Sequence, residues 1–540
     1  MEISASLVVG ICCVFLSSLI EVEAYNQNIL SLRVIVSENQ PYRTAFHFQP
    51  LQNWLNGVCK WVPLIVQILM GQCIMGEFTI CFTNTTPMVQ CLVQNLATPK
   101  NLSDPFLREW VKFSKNPIMT PPNGIKVNEF RDPTTAWKGL DGKWRVIIGS
   151  ELNNHGMAIL YRSEDFVSWT KYQHPLYISE ETGMWECPDF YPVSINSTNG
   201  VDTSVQNPSV KHVMKASFNS HDYYTLGNYD SQMERFISES DFTGTSLDLR
   251  YDYGKFYASK TFFDNVKNRR ILWGWVNESD STEDDIVKGW SGLQSIPRRV
   301  WLDKSGKQLL QWPVEEIETL RDSQVSIHGK KLLSGAVFEL SGITAAQADV
   351  EVFFKVPELE EAEFMDPTGV DPQLFCGKEN ASGKGRLGPF GLLTLASKDL
   401  TEQTAIFFRV FRGPSRYIVL MCSDQSRSSL RKEVDKTTFG AFVDINPRLE
   451  KISLRSLIDH SIVESYGGEG RTCITTRVYP MLASDEGMHL YLFNNGSSSV
   501  VISRLDAWSM KRAKINGKES LRLLEGVLHS KNSMGNVLGL

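Results

Sequence analysis

From Pro117 to the C-terminus the chain is a succession of short apolar or alternating runs separated by turns, with no sustained helical period. GKWRVIIGS (142–150), HGMAILYRS (155–163), KHVMKASF (211–218) and RRILWGWV (269–276) are typical. Runs of this length and pattern fold as strands, so the region is expected to be all-β. Acids recur where strand groups begin, in Phe130-Arg131-Asp132-Pro133, Trp185-Glu186-Cys187-Pro188-Asp189 and Tyr251-Asp252-Tyr253-Gly254. In a β-propeller the innermost strand of each blade lines a central channel, where such acids would converge on one pocket. Trp312–Arg321, WPVEEIETLR, is the best helical candidate and a natural linker, expected over 312–322. Beyond it, AVFELSG, DVEVFFKV, TAIFFRVF, RYIVLMC and MHLYLFN alternate as the strands of a β-sandwich do, expected over 323–540. The propeller is expected over 25–311.

The N-terminus carries an apolar core, Leu7 to Ile20, followed by Val22-Glu23-Ala24. This pattern predicts a cleaved leader over 1–24 and secretion, with disulfides and N-glycans permitted. Acceptor sequons stand at Asn101, Asn196, Asn277, Asn380 and Asn495. A net charge of −6 argues against a nucleic-acid partner. Aromatics make up 11% of the chain, with 13 Trp, which suits both an all-β core and stacking on sugar rings. Trp273, Trp275 and Trp290 are candidates for such a platform.

Several long stretches, in order, carry a resemblance: NQPYRTAFHFQP (39–50), FRDPTTAW (130–137), MWECPDFYPV (184–193), YDYGKFYASKTFFD (251–264), ILWGWVNESDS (271–281), KGWSGLQSIPRRVWL (288–302) and HSIVESYGGEGRTCITTRVYP (460–480). The chain resembles plant-type cell-wall invertases and fructan exohydrolases, the beta-fructofuranosidases of glycoside hydrolase family 32. The resemblance implies a five-bladed β-propeller followed by a β-sandwich, and hydrolysis of a fructosyl bond with retention. It implies no metal and no cofactor, a sugar substrate (sucrose or fructan), no membrane or nucleic-acid partner, and a proteinaceous invertase inhibitor as a possible macromolecular partner. Retaining glycosidases place two carboxyls across the scissile bond, one as nucleophile and one as acid/base. By resemblance Glu186 is the acid/base and Asp132 the transition-state stabiliser, beside Arg131. Burial near Trp185 is expected to tune Glu186. Trp54, Asn56 and Asp280 are implied as substrate-binding residues. Asp280 resembles an acid that favours sucrose, but the Lys that tends to follow it three residues on is Glu283 here. Pro188 is of the cell-wall type, and Cys376 with Cys422 matches a pair that the family joins. Cys187 and Cys473 read as buried free thiols.

One stretch departs from the pattern. Asn56 should be followed by Asp-Pro-Asn-Gly, whose Asp is the family's nucleophile; Gly57 stands there instead. Residues 57–92 match nothing in the family, contain Cys59, Cys73, Cys81 and Cys91, and hold no Asp. Their apolar run is interrupted by Gln67, Gln72 and Glu77, which makes a poor membrane span. Permitted codons for residues 67–93, read one frame over, give DPNGPMYYGGVYHLFYQYNPNGAVFG, which resembles the missing continuation. Codons at 56–58 permit a splice donor, and those at 66–67 an acceptor. The segment therefore reads as translated intron followed by out-of-frame exon. A further stretch, with the family's Trp-Ser-Gly-Ser-Ala-Thr motif, is absent. The expectation is a family fold with altered N-terminal blades and no nucleophile.

Overall fold

The computed structural model describes residues 40, 42–50, 52–55, 73–81, 89–103, 109–483 and 487–513; for 73–81 and 89–91 only the backbone is described. The predicted leader and Asn56 lie outside the described residues. The chain divides into two units between Arg43 and Thr44. Of the first, the described residues hold a turn closed by the Arg43 amide donating to the Gln40 carbonyl (3.1 Å). Everything that follows concerns the second.

The fold is all-β, as expected. Among the described residues the N-terminal part forms four antiparallel sheets in chain order, each a meander of the kind that makes a propeller blade. The first has three strands, 73–81, 89–99 and 110–112. The second is built on Phe130–Arg131, Trp144–Leu152, His155–Ser163 and Tyr177–Ser179. The third comprises Glu186–Ser194, Val210–Phe218, His221–Asp230 and Arg235–Ser238. The fourth comprises Phe256–Asp264, Arg269–Val276, Arg298–Leu302 and Leu309–Pro313. Aromatic residues weld neighbouring sheets: Trp137, Phe190, Phe236 and Tyr177 fill the space between the second and third.

The C-terminal part is two six-stranded antiparallel sheets packed face to face. Alternate residues of Gln347–Lys355, namely Ala348, Val350, Val352 and Phe354, meet Phe390, Leu392, Ile406 and Phe408 of the facing sheet in one core. That is the period-two signal read in the sequence, converted to burial.

The expected helix at 312–321 is shorter and tighter than predicted. Trp312 and Pro313 end a strand, and only Glu315–Leu320 turns, as a 3₁₀-helix, before Arg321 starts the next strand. Its one buried side chain is Ile317, too little apolar surface to hold a longer helix. An α-helix was missed at Thr282–Lys288. Its signals are local: Ser281 and Asp284 form a capping box, acids fill the first turn, and Gly289 (φ 75°) closes it.

Candidate active site

Three strand starts converge, and all three have an irregular backbone. Phe130–Arg131 pairs with Gly149 and Ser150. The strand that starts at Glu186 shifts register between Glu186 and Asp189, and the strand 256–264 shifts between Tyr257 and Lys260. Asp132 (φ 60°), Cys187 (φ 45°) and Ala258 (φ 55°) sit in the left-handed region at these points. Each such non-glycine residue costs about 1–2 kcal/mol. Bulges re-aim side chains, and strained residues of this kind cluster at functional sites.

The result is one carboxylate with two donors. Arg131 Nη1 donates to Glu186 Oε1 (2.7 Å), and Tyr257 Oη donates to Glu186 Oε2 (2.8 Å). The Glu186 side chain is one-third exposed, open to a ligand. Burial, reinforced by the Glu186 charge, pushes the Tyr257 phenol well above its ordinary range, so it stays a donor. Asp132 Oδ2 accepts from the Cys187 amide (3.0 Å), which ties the FRDP turn to the WECPDF bulge. Arg131, Asp132 and Glu186 are therefore brought together.

Two buried ammonium groups hold this bulged backbone. Lys260 Nζ donates to the carbonyls of Pro188 (2.5 Å), Pro133 (3.2 Å) and Asp132 (3.3 Å). Lys215 Nζ donates to the carbonyls of Cys187 (3.1 Å) and Ser259 (2.8 Å) and to Ser217 Oγ (2.6 Å). Carbonyls freed from ladder bonding by the bulges thus find donors. Burial pulls the Lys260 pKa down to about 8, against the opposing pull of Asp189 and Asp132. Tyr257, Lys260 and Lys215 were not singled out from sequence; Tyr257 and Lys260 lie inside the YDYGKFYASKTFFD stretch, three residues apart and on either side of that strand's register shift.

Two expectations fail here. Trp185 does not cover Glu186: its indole is fully buried, donates to Thr182 Oγ1 (2.9 Å) and packs on Tyr177 and Phe242. Successive strand residues face opposite ways. Asp252 does not join the pocket either. It is buried, accepts from Arg298 Nη2 (2.9 Å) and the Thr475 amide (2.9 Å), and fastens propeller to sandwich.

Trp54 and Asp280 share a second neighbourhood. Asn53–Trp54 pairs in parallel with Trp290–Ser291, and Trp54 is 57% exposed. Directly behind that strand, Lys288 Nζ lies 2.6 Å from Asp280, 3.0 Å from Asp285 and 3.3 Å from Glu278. Glu278 also meets Arg477 (2.8 Å) and the Gly292 amide (2.7 Å), and Asp285 accepts from Ser291 Oγ (2.8 Å). These three acids bring their oxygens close enough for a cation, and Lys288 supplies the positive charge. The cation beside Asp280 is thus Lys288, while Glu283 is exposed. Burial pushes the Asp280 pKa up to about 6 and Glu278 adds to it, with Lys288 opposing. The two neighbourhoods connect through Trp275, which lies across the strand pair from Tyr257; Gly292 (φ 83°) sits against its Nε1 and against the Leu55 carbonyl. A Cβ at Gly292 would come within 2.1 Å of that carbonyl.

Of the platform candidates, Trp290 is fully buried beside Val276, Leu293 and Ile462, and is core; Trp273 and Trp275 are half-buried. Cys376 and Cys422 are bridged, with Cα atoms 5.7 Å apart. Cys473 is a buried free thiol, whereas Cys187 is disulfide-bonded, contrary to the expectation. Asn101, Asn196 and Asn277 are exposed and Asn380 half-buried; Asn495 Nδ2 donates to the Ala381 carbonyl (2.8 Å).

Comparison with known proteins shows the family of the chain. Residues 71–313 match the glycosyl hydrolases family 32 N-terminal domain, and residues 316–509 match the glycosyl hydrolases family 32 C-terminal domain. An insoluble beta-fructofuranosidase isoenzyme of Arabidopsis thaliana is 51% identical over 89% of this chain and 92% of its own length. A fructan 6-exohydrolase of Beta vulgaris is 47% identical over 89% of both chains. The crystal structure of fructan 1-exohydrolase IIa from Cichorium intybus is 50% identical, superposes with a TM-score of 0.81, and covers 88% of this chain and 98% of its own.

Proposed function

The chain belongs to glycoside hydrolase family 32, and on that premise we propose that it carries the acid/base and stabiliser of a retaining fructosyl hydrolase without the nucleophile. By family it is a glycosidase of the beta-fructofuranosidase type.

The observation that carries this reading is the Arg131–Glu186–Tyr257 arrangement beside Asp132, in a chain with no aspartate before Asp104. In this reading Glu186 is the general acid that protonates the leaving glycosidic oxygen and later deprotonates water. To do so it sheds one donor, Tyr257 or Arg131, for the sugar oxygen. Asp132, fixed through Oδ2 to the Cys187 amide, offers its other oxygen to sugar hydroxyls, with Arg131 alongside. Trp54 and Asp280, held by Lys288, are the binding residues on the other side.

The missing step is the first one. Double displacement needs a carboxylate in line with the anomeric carbon to form the glycosyl-enzyme. The position after Asn56 is Gly57, which the matched N-terminal model does not cover; that match starts at residue 71, so 71–92 do match the family model, contrary to the expectation for 57–92. Loss of one member of a concerted set removes most of the rate. Purified protein of this sequence is predicted to release no fructose from sucrose or inulin above background. Turnover that disappears in Glu186→Gln would overturn this. A sugar-binding protein without turnover is the second reading, favoured by the intact Glu186 and Asp280 neighbourhoods; titration with sucrose and with inulin tests it and reports the substrate class. Secretion to the cell wall, glycosylation at the exposed sequons and a proteinaceous inhibitor as partner belong to the same proposal. The insoluble and cell-wall isoenzymes of Arabidopsis thaliana and Pisum sativum among its relatives support the location.

A further inference from the structure

His47 is buried completely, and both ring nitrogens face carboxylates of the sandwich. Nδ1 lies 2.9 Å from Asp459 Oδ2, and Nε2 lies 2.9 Å from Glu464 Oε1. Both carboxylates are already acceptors. Asp459 takes the amides of Ala45 (2.7 Å), Phe46 (2.8 Å) and His47 (2.9 Å), with the His460 ring at 3.0 Å. Glu464 takes the Ile296 amide (2.6 Å), Arg298 Nη2 (2.7 Å) and Tyr466 Oη (2.8 Å). Only an imidazole with a proton on each nitrogen donates to both. Three successive backbone amides closing on one carboxylate form an anion nest, and the imidazolium supplies its counter-charge.

This arrangement sits at the start of a short path. Phe48 accepts from the Gln294 amide (2.9 Å), the Asn53 amide donates to the Gly289 carbonyl (2.9 Å), and the Leu55 amide to the Ser291 carbonyl (2.8 Å). The chain leading to Trp54 is therefore gripped by the sandwich at one end and by the propeller at the other. We propose that His47 is a positioning residue: held as an imidazolium between Asp459 and Glu464, it fixes the segment that delivers Trp54 to the sugar site. The inference rests on reading residues 53–55 as the flank of the nucleophile loop, but its test needs no turnover.

The groups facing His47 set its pH range. Burial pulls its pKa down, but Asp459 and Glu464 more than reverse this and raise it to about 9. Arg298 and His460 face the same carboxylates, and Asp252, Tyr466 and Cys473 surround Arg298. The His47 pKa is raised above its ordinary value near 6.5, so the clamp is complete below that value and is lost as pH rises through about 9. Glu464 and Asp459 are held below their ordinary values, Glu464 at about 2, so loss on the acid side comes only at strongly acidic pH.

The experiment is hydrogen exchange of the full chain, corrected for intrinsic rates, followed in peptides covering 44–55 and in the core strands 347–355 and 404–412. Protection of 44–55 is expected to fall at least tenfold between pH 7 and pH 10 while the core strands hold. His47→Gln is expected to show the same loss already at pH 7. Flat protection of 44–55 across that pH range overturns the proposal, as does equal loss in the core strands. Retained protection in His47→Gln at pH 7 overturns it as well. Should His47→Gln fail to fold, the pH series on the unaltered chain decides. Turnover and sugar titration test the functional reading separately, so the two failures are distinguishable.

Discussion

Lys260 shows how a single side chain sets the geometry of Glu186 and Asp132 without touching either carboxylate. Its ammonium joins main-chain carbonyls of the two motifs, Asp132 and Pro133 on one side and Pro188 on the other. Lys260→Met would leave these carbonyls without a donor in a buried place. An unpaired buried group costs about 1–3 kcal/mol, so a loss of about 3 kcal/mol or more is expected in urea unfolding. An unchanged midpoint would show that the bulge holds itself. Arg131, Asp132 and Glu186 were legible in sequence because each lies in a contiguous motif. Tyr257 and Lys260 were not, because their roles depend on a register shift between them that no linear pattern displays. Asp252 was misread for the converse reason: it stands at a strand start, yet its side chain turns to Arg298 and Thr475.

Among elements, strands were easier to read than helices. The sandwich strand Gln347–Lys355 announces itself by alternation and buries its apolar face as the pattern requires, while Thr404–Arg412 and Tyr417–Asp424 are buried on both faces. The Glu315–Leu320 turn looked longer because its acids and leucine fit a helical period, but it has one buried anchor. The short helix at Thr282–Lys288 was overlooked because it is two turns long, although its capping signals are explicit. It does matter, since its last turn delivers Lys288 to Asp280. In the sandwich, the Cys376–Cys422 bridge ties the helix Pro372–Lys378 to the strand Tyr417–Asp424, across a separation of 46 residues. Replacing both cysteines by Ser is expected to lower the sandwich's stability by about 2–4 kcal/mol on loop-closure grounds. Calorimetry of the double variant checks this, and a transition at the unaltered temperature would refute it.

For the molecule as a whole, the family and the all-β fold were evident from motif order, whereas the cleft geometry was not. Propeller and sandwich share buried charge: Arg298 lies between Asp252 and Glu464, and Gly254 packs so closely on the Thr475 carbonyl that a Cβ would come within 2.0 Å of it. If the chain passes through a secretory pathway, glycans are expected on exposed Asn196 and Asn277 and not on Asn495, whose amide nitrogen is engaged. Glycopeptide mapping of protein secreted by plant cells tests this, and a fully occupied Asn495 would contradict it. The central claim is that a family 32 site persists here without its nucleophile. Fructose release from sucrose by the purified chain, beside its Glu186→Gln variant, measures that claim directly. No release from either protein is the predicted result; release by the unaltered chain that Glu186→Gln abolishes would contradict it.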